Sequence, residues 1–521
     1  MPPVKRLPLL LVGGLVLVAV LIPVTGGQLG FGGSPSSPRP SSAANATADP
    51  TAGSSEATGA PTDPPAATPE AAPTSTEAPT TMVAIVPVTH FRSTRASTHR
   101  AEVEDVLAGR SERYEALELV ADDADAILAA LGVTAPTDPD RLVLADDSAT
   151  LTGDLADHRK RLAFLRSDDI GPAVHALAWG DDALFGVGRV AADDWPLTAE
   201  VPAASASEAS GDAAMWTLFA GGDILLDRGV HETIEVKGKG VDFPFDGGTA
   251  EITSRYCCSS FGWELPRTRR TGDDGAVREL IGGADLAIAN FENPAPNKPK
   301  WHTKGTIFTA DPDAIDGLTD AGIDYVSLAN NHIGDAGRAG ILQTIANLDD
   351  RGLAHGGAGA NERAARRPAT FEVGDGTTVA ILAYDRIAKY YHADSDTPGS
   401  APMTTKRVAA DIKAAREDGA DVVIVFPHWG TEYQYDPFSG QQAQAHDIID
   451  AGADMIIGNH AHYAAAMEVY EGKPIWYALG NFVFDQTWSE PTMEGITLEL
   501  TFRGDELAQA DRKSTRLNSS H

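Results

Sequence analysis

The chain has 521 residues, more than one ordinary domain, which predicts two folded units with non-globular segments between them. Its net charge is −33, from 74 acidic and 41 basic side chains, and this argues against a nucleic-acid binder, which needs a basic face. A polyanionic substrate would therefore depend on metal ions or a few placed Arg and Lys side chains. The two cysteines, Cys257 and Cys258, are adjacent and exclude a disulfide framework or a Cys-based zinc site.

The N-terminal segment carries a membrane signal. Lys5 and Arg6 precede an almost purely apolar run at residues 7–24, which predicts a membrane anchor or a cleaved export signal within residues 1–25. The positive flank should stay in the cytoplasm, so we expect a single-pass membrane protein with its bulk outside, or alternatively a secreted one. Residues 26–81 are dominated by Pro, Ser, Thr and Ala and predict a disordered spacer.

A first folded unit is predicted at residues 82–202, where apolar runs of mixed helix and strand periodicity resume. An Ala- and Ser-rich hinge at residues 203–214 follows it. The segments VPVTHFRST and WPL weakly resemble a lobe of a periplasmic solute-binding protein, which would make this unit a ligand or partner module. A purely structural α/β domain is the alternative.

The last eleven residues, DRKSTRLNSSH at 511–521, depart abruptly from the acidic, Ala-rich chain. They resemble a translated sequencing adapter, so we expect them to be foreign to the protein. The second folded unit is accordingly predicted to span residues 215–510.

In that second unit, five apolar strand-like runs each end in a polar residue that can bind a metal. The runs are WTLFAGGD, ADLAIANFE, IDYVSLANNH, DVVIVFPH and DMIIGNHAH, and they deliver Asp223, Glu292, Asn330, Asn331, His332, His428, His460 and His462. In a sheet with consistently directed strands, such strand-end side chains gather along one edge.

The residue types predict the chemistry. Two carboxylates, an amide and three imidazoles form a mixed oxygen and nitrogen set that suits Mn, Fe or Zn, and six ligands exceed the needs of one ion. Two divalent ions bridged by a carboxylate would fit this count.

The order Asp, acid, Asn-Asn-His, His, Gly-x-His-x-His resembles the calcineurin-like metallophosphoesterases, and GGDILLDRG, NFENP, HWGTEYQ, GNHAHY and PIWYALGNFVFDQ resemble the CapA capsule-synthesis family. Between the ligand-bearing runs, amphipathic periodicity predicts helices at residues 338–351, 405–416 and 441–449. Combined with this alternation of strands and helices, the resemblance implies a four-layer α/β/β/α sandwich, with residues 475–484 and 496–502 supplying strands of the second sheet. It implies metal ligation by Asp223, Asn331, His428, His460 and His462, with Glu292 as the bridging acid. It further implies a catalytic His332 and substrate contacts from Arg228, Lys304 and Glu432, the last three of which could instead be structural surface residues.

The sequence departs from the usual phosphoesterase pattern at two ligand positions. The first motif reads Asp-Ile-Leu, with Leu225 where a second ligand His is usual, and Glu292 replaces the usual bridging Asp. Within the CapA-like set, Asn459 and Ala461 stand where His and Pro are more usual. These changes leave open whether both metal positions are filled.

Three functions are compatible with this pattern. The resemblance implies a part in making or exporting an extracellular anionic polymer, poly-γ-glutamate. A metal-dependent phosphoesterase or γ-glutamyl hydrolase is the second hypothesis, and a non-catalytic scaffold that binds membrane synthase subunits is the third.

Overall fold

The structure is a computed structural model that describes residues 80–202, 214–256 and 265–516. The predicted anchor at 7–24, nearly all of the spacer and hinge, the adjacent cysteines and the last five residues lie outside the described residues. In the described ranges, no helix combines the length and the apolar character that crossing a membrane requires.

The N-terminal module begins at the first described residue and is an α/β unit. Its elements are β1 Thr80–His90, β2 Ser97–Thr98, α1 Arg100–Leu107, β3 Ala116–Val120, α2 Ala124–Leu131, β4 Leu142–Ala145, α3 Ser148–Asp157, β5 Arg161–Arg166, β6 Val174–Ala176, β7 Ala178–Trp179 and β8 Thr198–Pro202. Its main sheet runs β4-β3-β5-β1-β6, with β8 also paired to β1. Capping residues define two of the helix ends. Asp147 caps the N-terminus of α3 by accepting a hydrogen bond from the Thr150 amide, and Gly132 ends α2 in the left-handed conformation.

The larger part of the chain alternates strands and helices. Its elements are β9 Met215–Ile224, α4 Arg228–His231, β10 Ala250–Tyr256, β11 Leu265–Arg270, α5 Ala276–Gly283, β12 Leu286–Phe291, α6 Asp316–Ala321, β13 Tyr325–Ser327, α7 Gly337–Asp349, β14 Ala354–Gly356, β15 Ala358–Gly359, α8 Glu362–Ala365, β16 Ala369–Val373, β17 Thr377–Asp385, β18 Gly399–Ser400, α9 Thr405–Glu417, β19 Val422–His428, α10 Ser439–Asp450, β20 Met455–Ile457, β21 Met467–Tyr470, β22 Lys473–Trp476, β23 Asn481–Val483, α11 Glu490–Met493, β24 Glu494–Arg503 and β25 Glu506–Arg516.

These elements build two sheets. The first runs β14-β13-β12-β9-β24-β25, with β23 paired to the end of β9, and the second runs β16-β17-β19-β20-β22-β21. Strands β9, β12, β13 and β14 are parallel in the first sheet, and β17, β19, β20 and β22 are parallel in the second. Parallel strands buried on both faces read as continuous apolar runs, which is the pattern of WTLFA and DVVIVF.

Three apolar layers show how the sheets are stacked. One lies between the sheets and joins Trp216 and Leu218 of the first to Ile424 and Trp476 of the second. A second packs helices α5, α6 and α7 on the outer face of the first sheet, and a third packs α9 and α10 on the outer face of the second. The predicted four-layer α/β/β/α sandwich is therefore confirmed.

Two strand assignments were wrong. Residues 481–483, part of the run at 475–484 expected in the second sheet, form β23, which pairs with β9 in the first sheet. The apolar run at residues 496–502 was expected in the second sheet, but it forms β24, which pairs antiparallel with β9 in the first sheet. The five ligand-bearing strands are also divided between the two sheets instead of sharing one. An apolar run indicates a buried strand but not which of two facing sheets it joins.

The N-terminal module packs on the edge of the first sheet. The Ala176 amide donates to the Gln509 side chain at 3.1 Å, and the Gly186 amide donates to the Thr501 hydroxyl at 2.8 Å. Strand β25 continues to Arg516, so the first residues of the tail that we expect to be foreign lie in this strand. Because backbone pairing accepts almost any side chain, this strand does not test whether residues 511–516 are foreign, and that expectation stays a prediction.

Trp216 offers a test of the layer between the sheets. It is 0% exposed, stacks on Phe502 at 4.1 Å between ring centroids, and donates from its indole N–H to the Gly504 carbonyl. Trp216→Ala should lower the free energy of unfolding by about 3–5 kcal/mol because it empties a large buried volume. Denaturant unfolding followed by circular dichroism measures this.

The matched control is Trp488→Ala, because Trp488 is 61% exposed. It should change the unfolding free energy by no more than about 0.5 kcal/mol. Equal losses in the two variants would contradict the assigned core.

Candidate metal centre

Six predicted ligands meet where the carboxyl ends of the two sheets converge. Asp223 is the penultimate residue of β9, Glu292 follows β12, and Asn331 lies beyond β13, all from the first sheet. His428 ends β19, while His460 and His462 follow β20, both strands of the second sheet. Side chains at the carboxyl ends of parallel strands share one edge, and here two such edges face each other.

A glycine allows the backbone at Asp223 to approach its neighbour closely. A Cβ added to Gly222 would lie 2.0 Å from the carbonyl oxygen of Gly480. The Asp223 amide donates to that same carbonyl at 3.0 Å. Glycine at position 222, inside strand β9, is therefore required for β9 to meet the segment leading into β23 and to place the Asp223 carboxylate at the edge.

The ligand atoms fall into two groups that share one residue. Glu292, His428 and His460 form one group, and Asp223, Glu292 and His462 form the other. Within each group the donor atoms lie within 4.8 Å of one another. The geometry thus gives Glu292 the position between two candidate ion sites.

Glu292 carries the strongest indication that a cation belongs here. Its side chain is 0% exposed, and neither carboxylate oxygen has a hydrogen-bond partner among the described residues. Burial raises the pKa of Glu292 to about 8, against the opposing effect of nearby His332. Because an unpaired buried carboxylate is costly, the donor set fits a divalent metal ion that would compensate it.

Burial favours the neutral form of the three histidines, which is the form that binds a metal ion. Burial lowers the pKa of His428, lowers that of His460 well below its ordinary value, and lowers that of His462 to about 3. Desolvation disfavours the charged imidazolium, so each ring keeps a free nitrogen lone pair. Burial also raises the pKa of the Asp223 carboxyl, and the neighbouring Glu292 charge adds to that effect.

Hydrogen bonds orient the ligands. His428 Nε2 lies 2.7 Å from the Asn331 side-chain oxygen, and Nδ1 of His460 lies 3.1 Å from the same nitrogen. Asn290 donates to Asp223 Oδ1 at 2.8 Å and lies 3.3 Å from His428 Nδ1. Asn290 therefore joins an acid of the first sheet to a histidine of the second.

The sequence reasoning missed Asn290, although a signal for it was present. Residues two apart in a strand point to the same face, so Asn290 and Glu292 had to share the edge on which the ligands gather. Asn481 was also missed: its side-chain oxygen lies 2.9 Å from His462 Nδ1, and its amide donates to the Thr492 carbonyl. The second contact depends on helix α11 and has no local sequence signal.

The backbone of the last motif is held in an uncommon conformation. His460 has φ 94° and His462 has φ 56°, both in the region that favours glycine. The His460 amide lies 3.3 Å from Asp223 Oδ2 and donates to it. Such conformations persist where surrounding contacts determine them, and they concentrate at functional sites.

His332 lies beside the ligand cluster and is itself oriented. Its Nδ1 lies 2.8 Å from Asp335 Oδ2, and its ring centroid lies 4.3 Å from that of Phe308. With Nδ1 engaged, Nε2 is the atom that can exchange a proton with a bound molecule. Asp335 follows His332 by three residues and was not among the predicted site residues.

The three predicted substrate contacts lie in different surroundings. Arg228 forms an ion pair with Asp485, and its guanidinium stacks 4.8 Å from the Phe308 ring centroid. Glu432 is exposed, and its charge opposes ionisation of Glu292, which places it near the cluster. Lys304 is exposed in the loop before Phe308. Arg228 is thus held by structural contacts, and all three substrate roles remain predictions.

Known proteins resemble this chain over the same region. It is 33% identical over 216 residues to the PGA biosynthesis protein CapA of Bacillus subtilis (strain 168), a match that covers 41% of this chain and 57% of the relative. It is 30% identical over 321 residues to the probable polyglutamine synthesis accessory protein MT0602 of Mycobacterium tuberculosis (strain CDC 1551 / Oshkosh), covering 57% of this chain and 80% of the relative. The chain thus spans little more than half of the Bacillus relative.

Among solved structures, the calcineurin-like phosphoesterase YfkN from Bacillus subtilis is 12% identical, with a TM-score of 0.32. That match covers 59% of this chain and 91% of the other. The sequence profile of the family described as bacterial capsule synthesis protein PGA_cap matches residues 217–486, which include every strand that supplies a candidate ligand. The chain therefore belongs to the bacterial capsule synthesis protein PGA_cap family.

Proposed function

We propose that this protein takes part in the synthesis or export of an extracellular anionic polymer of the poly-γ-glutamate type, acting through a divalent-metal centre. Two observations support the proposal. The relatives are named for PGA biosynthesis and for polyglutamine synthesis. The buried Glu292 carboxylate has no hydrogen-bond partner among the described residues, and His428 Nε2 lies 3.4 Å from its Oε1. The second observation carries the proposal, because it makes the centre a place where cations and an anionic chain would meet.

We propose two ions, of Mn, Fe or Zn, with Glu292 shared between them. His428 and His460 would complete one position, and Asp223 and His462 the other. Asn331 adds an amide oxygen beside His428. Bound divalent ions neutralise anionic groups and activate water, which is the chemistry that this centre would supply.

Side chains of the protein would supply the proton transfer. His332, oriented by Asp335, would donate a proton from Nε2 to an oxygen of the bound polymer or ester. The His332–Asp335 pair is the observation that favours a second candidate function, hydrolysis of a phosphoester or γ-glutamyl bond. Possible synthase subunits are proposed as partners because one relative is named a synthesis accessory protein.

The proposed place of action is the outer face of the cell membrane. The positive flank and apolar run at residues 5–24 support a single-pass anchor, and a secreted form is the alternative. A spacer of residues 26–81 would then hold the folded part away from the membrane.

The first prediction here concerns metal content. The purified full chain should hold up to two equivalents of Mn, Fe or Zn after loading, and His460→Ala should lose at least one of them because an imidazole ligand is removed. Elemental analysis after gel filtration measures this, with circular dichroism to check folding. The matched control is His446→Ala, since His446 stacks on Tyr470 and contacts Glu468 away from the cluster. Wild-type protein that retains only trace metal under every loading condition would contradict the assignment.

The second prediction concerns pH. A proton on Glu292 competes with an ion, and its pKa of about 8 means that Mn²⁺ affinity should keep rising with pH until about pH 8. The three histidines add less to this slope than ordinary histidine ligands would, because burial lowers the pKa of each ring. Titration followed by the electron paramagnetic resonance of free Mn²⁺ gives the affinity at each pH. An affinity that levels off near pH 6.5, as for ordinary histidine ligands, would overturn this reading.

The third prediction tests the function itself in a strain that lacks the gene. The deletion strain should lose its surface poly-γ-glutamate. The wild-type chain and His446→Ala should restore the polymer, but His460→Ala should not. Immunodetection of surface polymer and of the protein separates loss of function from loss of protein. A deletion strain that keeps its normal surface polymer would refute the polymer role.

The second candidate function, hydrolysis, is tested by enzyme assay. Purified wild-type protein and His332→Ala are assayed on a phosphoester and on poly-γ-glutamate after metal loading. A hydrolase should lose about 10²–10⁴-fold in kcat with His332→Ala while it keeps its metal. Metal-loaded wild-type protein that turns over neither substrate would exclude hydrolysis of both.

A further inference from the structure

A groove outside the metal centre carries a local concentration of arginine. Arg363, Arg366 and Arg367 line it within five residues of sequence, together with Glu362, Ser395 and Asp411, and it encloses about 1080 Å³. We call this the arginine groove. In a chain of net charge −33, three guanidinium groups on one groove form a local exception to the acidic surface.

One wall of the arginine groove is held rigid by paired charges. Arg366 donates two hydrogen bonds to Asp411, at 2.9 and 2.8 Å, and a third to Glu362 at 2.9 Å. Arg407 donates to the same Glu362 at 2.8 Å, and the Tyr384 hydroxyl donates to Asp411 at 2.7 Å. The two acids are therefore already neutralised, so they oppose an incoming anion only weakly.

The other two arginines of the groove are exposed to solvent and can contact a bound molecule. Arg363 and Arg367 are exposed, and neither side chain pairs with a carboxylate in the described ranges. A planar guanidinium binds a carboxylate through two parallel hydrogen bonds, and Arg is weakly hydrated for a cation, so it gives up water readily. Both exposed guanidinium groups are therefore open to carboxylates of an incoming chain.

One loop connects the arginine groove to the metal centre. It begins after Asp385, whose backbone pairs with His428, and it contributes Ser395 to the groove. At its first residue, the Arg386 amide donates to the His428 carbonyl, and Nη1 of Arg386 is buried with no hydrogen-bond partner in the described part of the chain. The loop thus carries a cationic side chain at its metal end and lines the groove further along.

We infer that the arginine groove binds a carboxylate-bearing polymer, so that one chain is held there while another part of it lies at the metal centre. This inference rests on the proposed function, because the polymer is the one proposed to meet the metal centre. A carboxylate polymer is chosen as the occupant because the polymer proposed to meet the metal centre carries carboxylates, and a guanidinium binds a carboxylate through two parallel hydrogen bonds.

The test measures binding of a short fluorescent poly-γ-glutamate oligomer to the full chain at low salt, by anisotropy, with metal loaded and with a chelator present. Arg363→Glu with Arg367→Glu should weaken binding by about tenfold or more in both conditions and should reduce its salt dependence. The matched control is Lys237→Glu with Lys239→Glu, two exposed lysines outside the groove, which changes the net charge equally. That control should bind like the wild type.

The outcomes separate this inference from the proposed function. If wild-type protein does not bind the oligomer at all, the polymer role itself fails. If wild-type protein binds it and the arginine variant binds equally well, only the groove assignment fails. If both double variants weaken binding equally, the effect is one of overall charge and the groove is again refuted. Tighter binding of polyphosphate through the same arginines would overturn the preference for carboxylates. Circular dichroism and metal content confirm that each variant is folded.

Discussion

The buried carboxylate of Glu292 is the constraint on which the rest of the site depends. It is placed at the meeting of two sheets, with no hydrogen-bond partner in the described residues and with ligand groups on both sides. A carboxyl group in that position is tolerated only if it is protonated or if a cation compensates its charge. The surrounding imidazoles are kept neutral by the same burial, so they would not compete with a cation but would bind it.

The four-layer architecture makes this arrangement possible. Each sheet alone presents only part of the ligand set, and the layer around Trp216 and Trp476 holds the two edges in register. Asn290 then joins the sheets directly through Asp223 and His428. Stability and site geometry are therefore linked, because the apolar layer between the sheets also sets the distance between the two halves of the centre.

The charge distribution bears on how the proposed anionic polymer would be bound. The chain as a whole repels polyanions, so attraction has to come from local features. The metal centre is one such feature, and the arginine groove is a second, with its acids already paired to Arg366 and Arg407. The loop that starts beside His428 and reaches Ser395 relates the two, which gives an extended polymer more than one point of attachment.

The sequence by itself determined the candidate ligands and the family resemblance, because strand-end motifs are local patterns, and the resemblance in turn implied the four layers. The helices predicted at 338–351, 405–416 and 441–449 correspond closely to α7, α9 and α10 because apolar periodicity is also a local pattern. Only the tertiary structure decided that residues 496–502 join the first sheet, that Asn481 orients His462, and that Asp485 pairs with Arg228. Each of these depends on contacts between residues far apart in the chain, and periodicity within one segment carries no information about which distant segment packs against it.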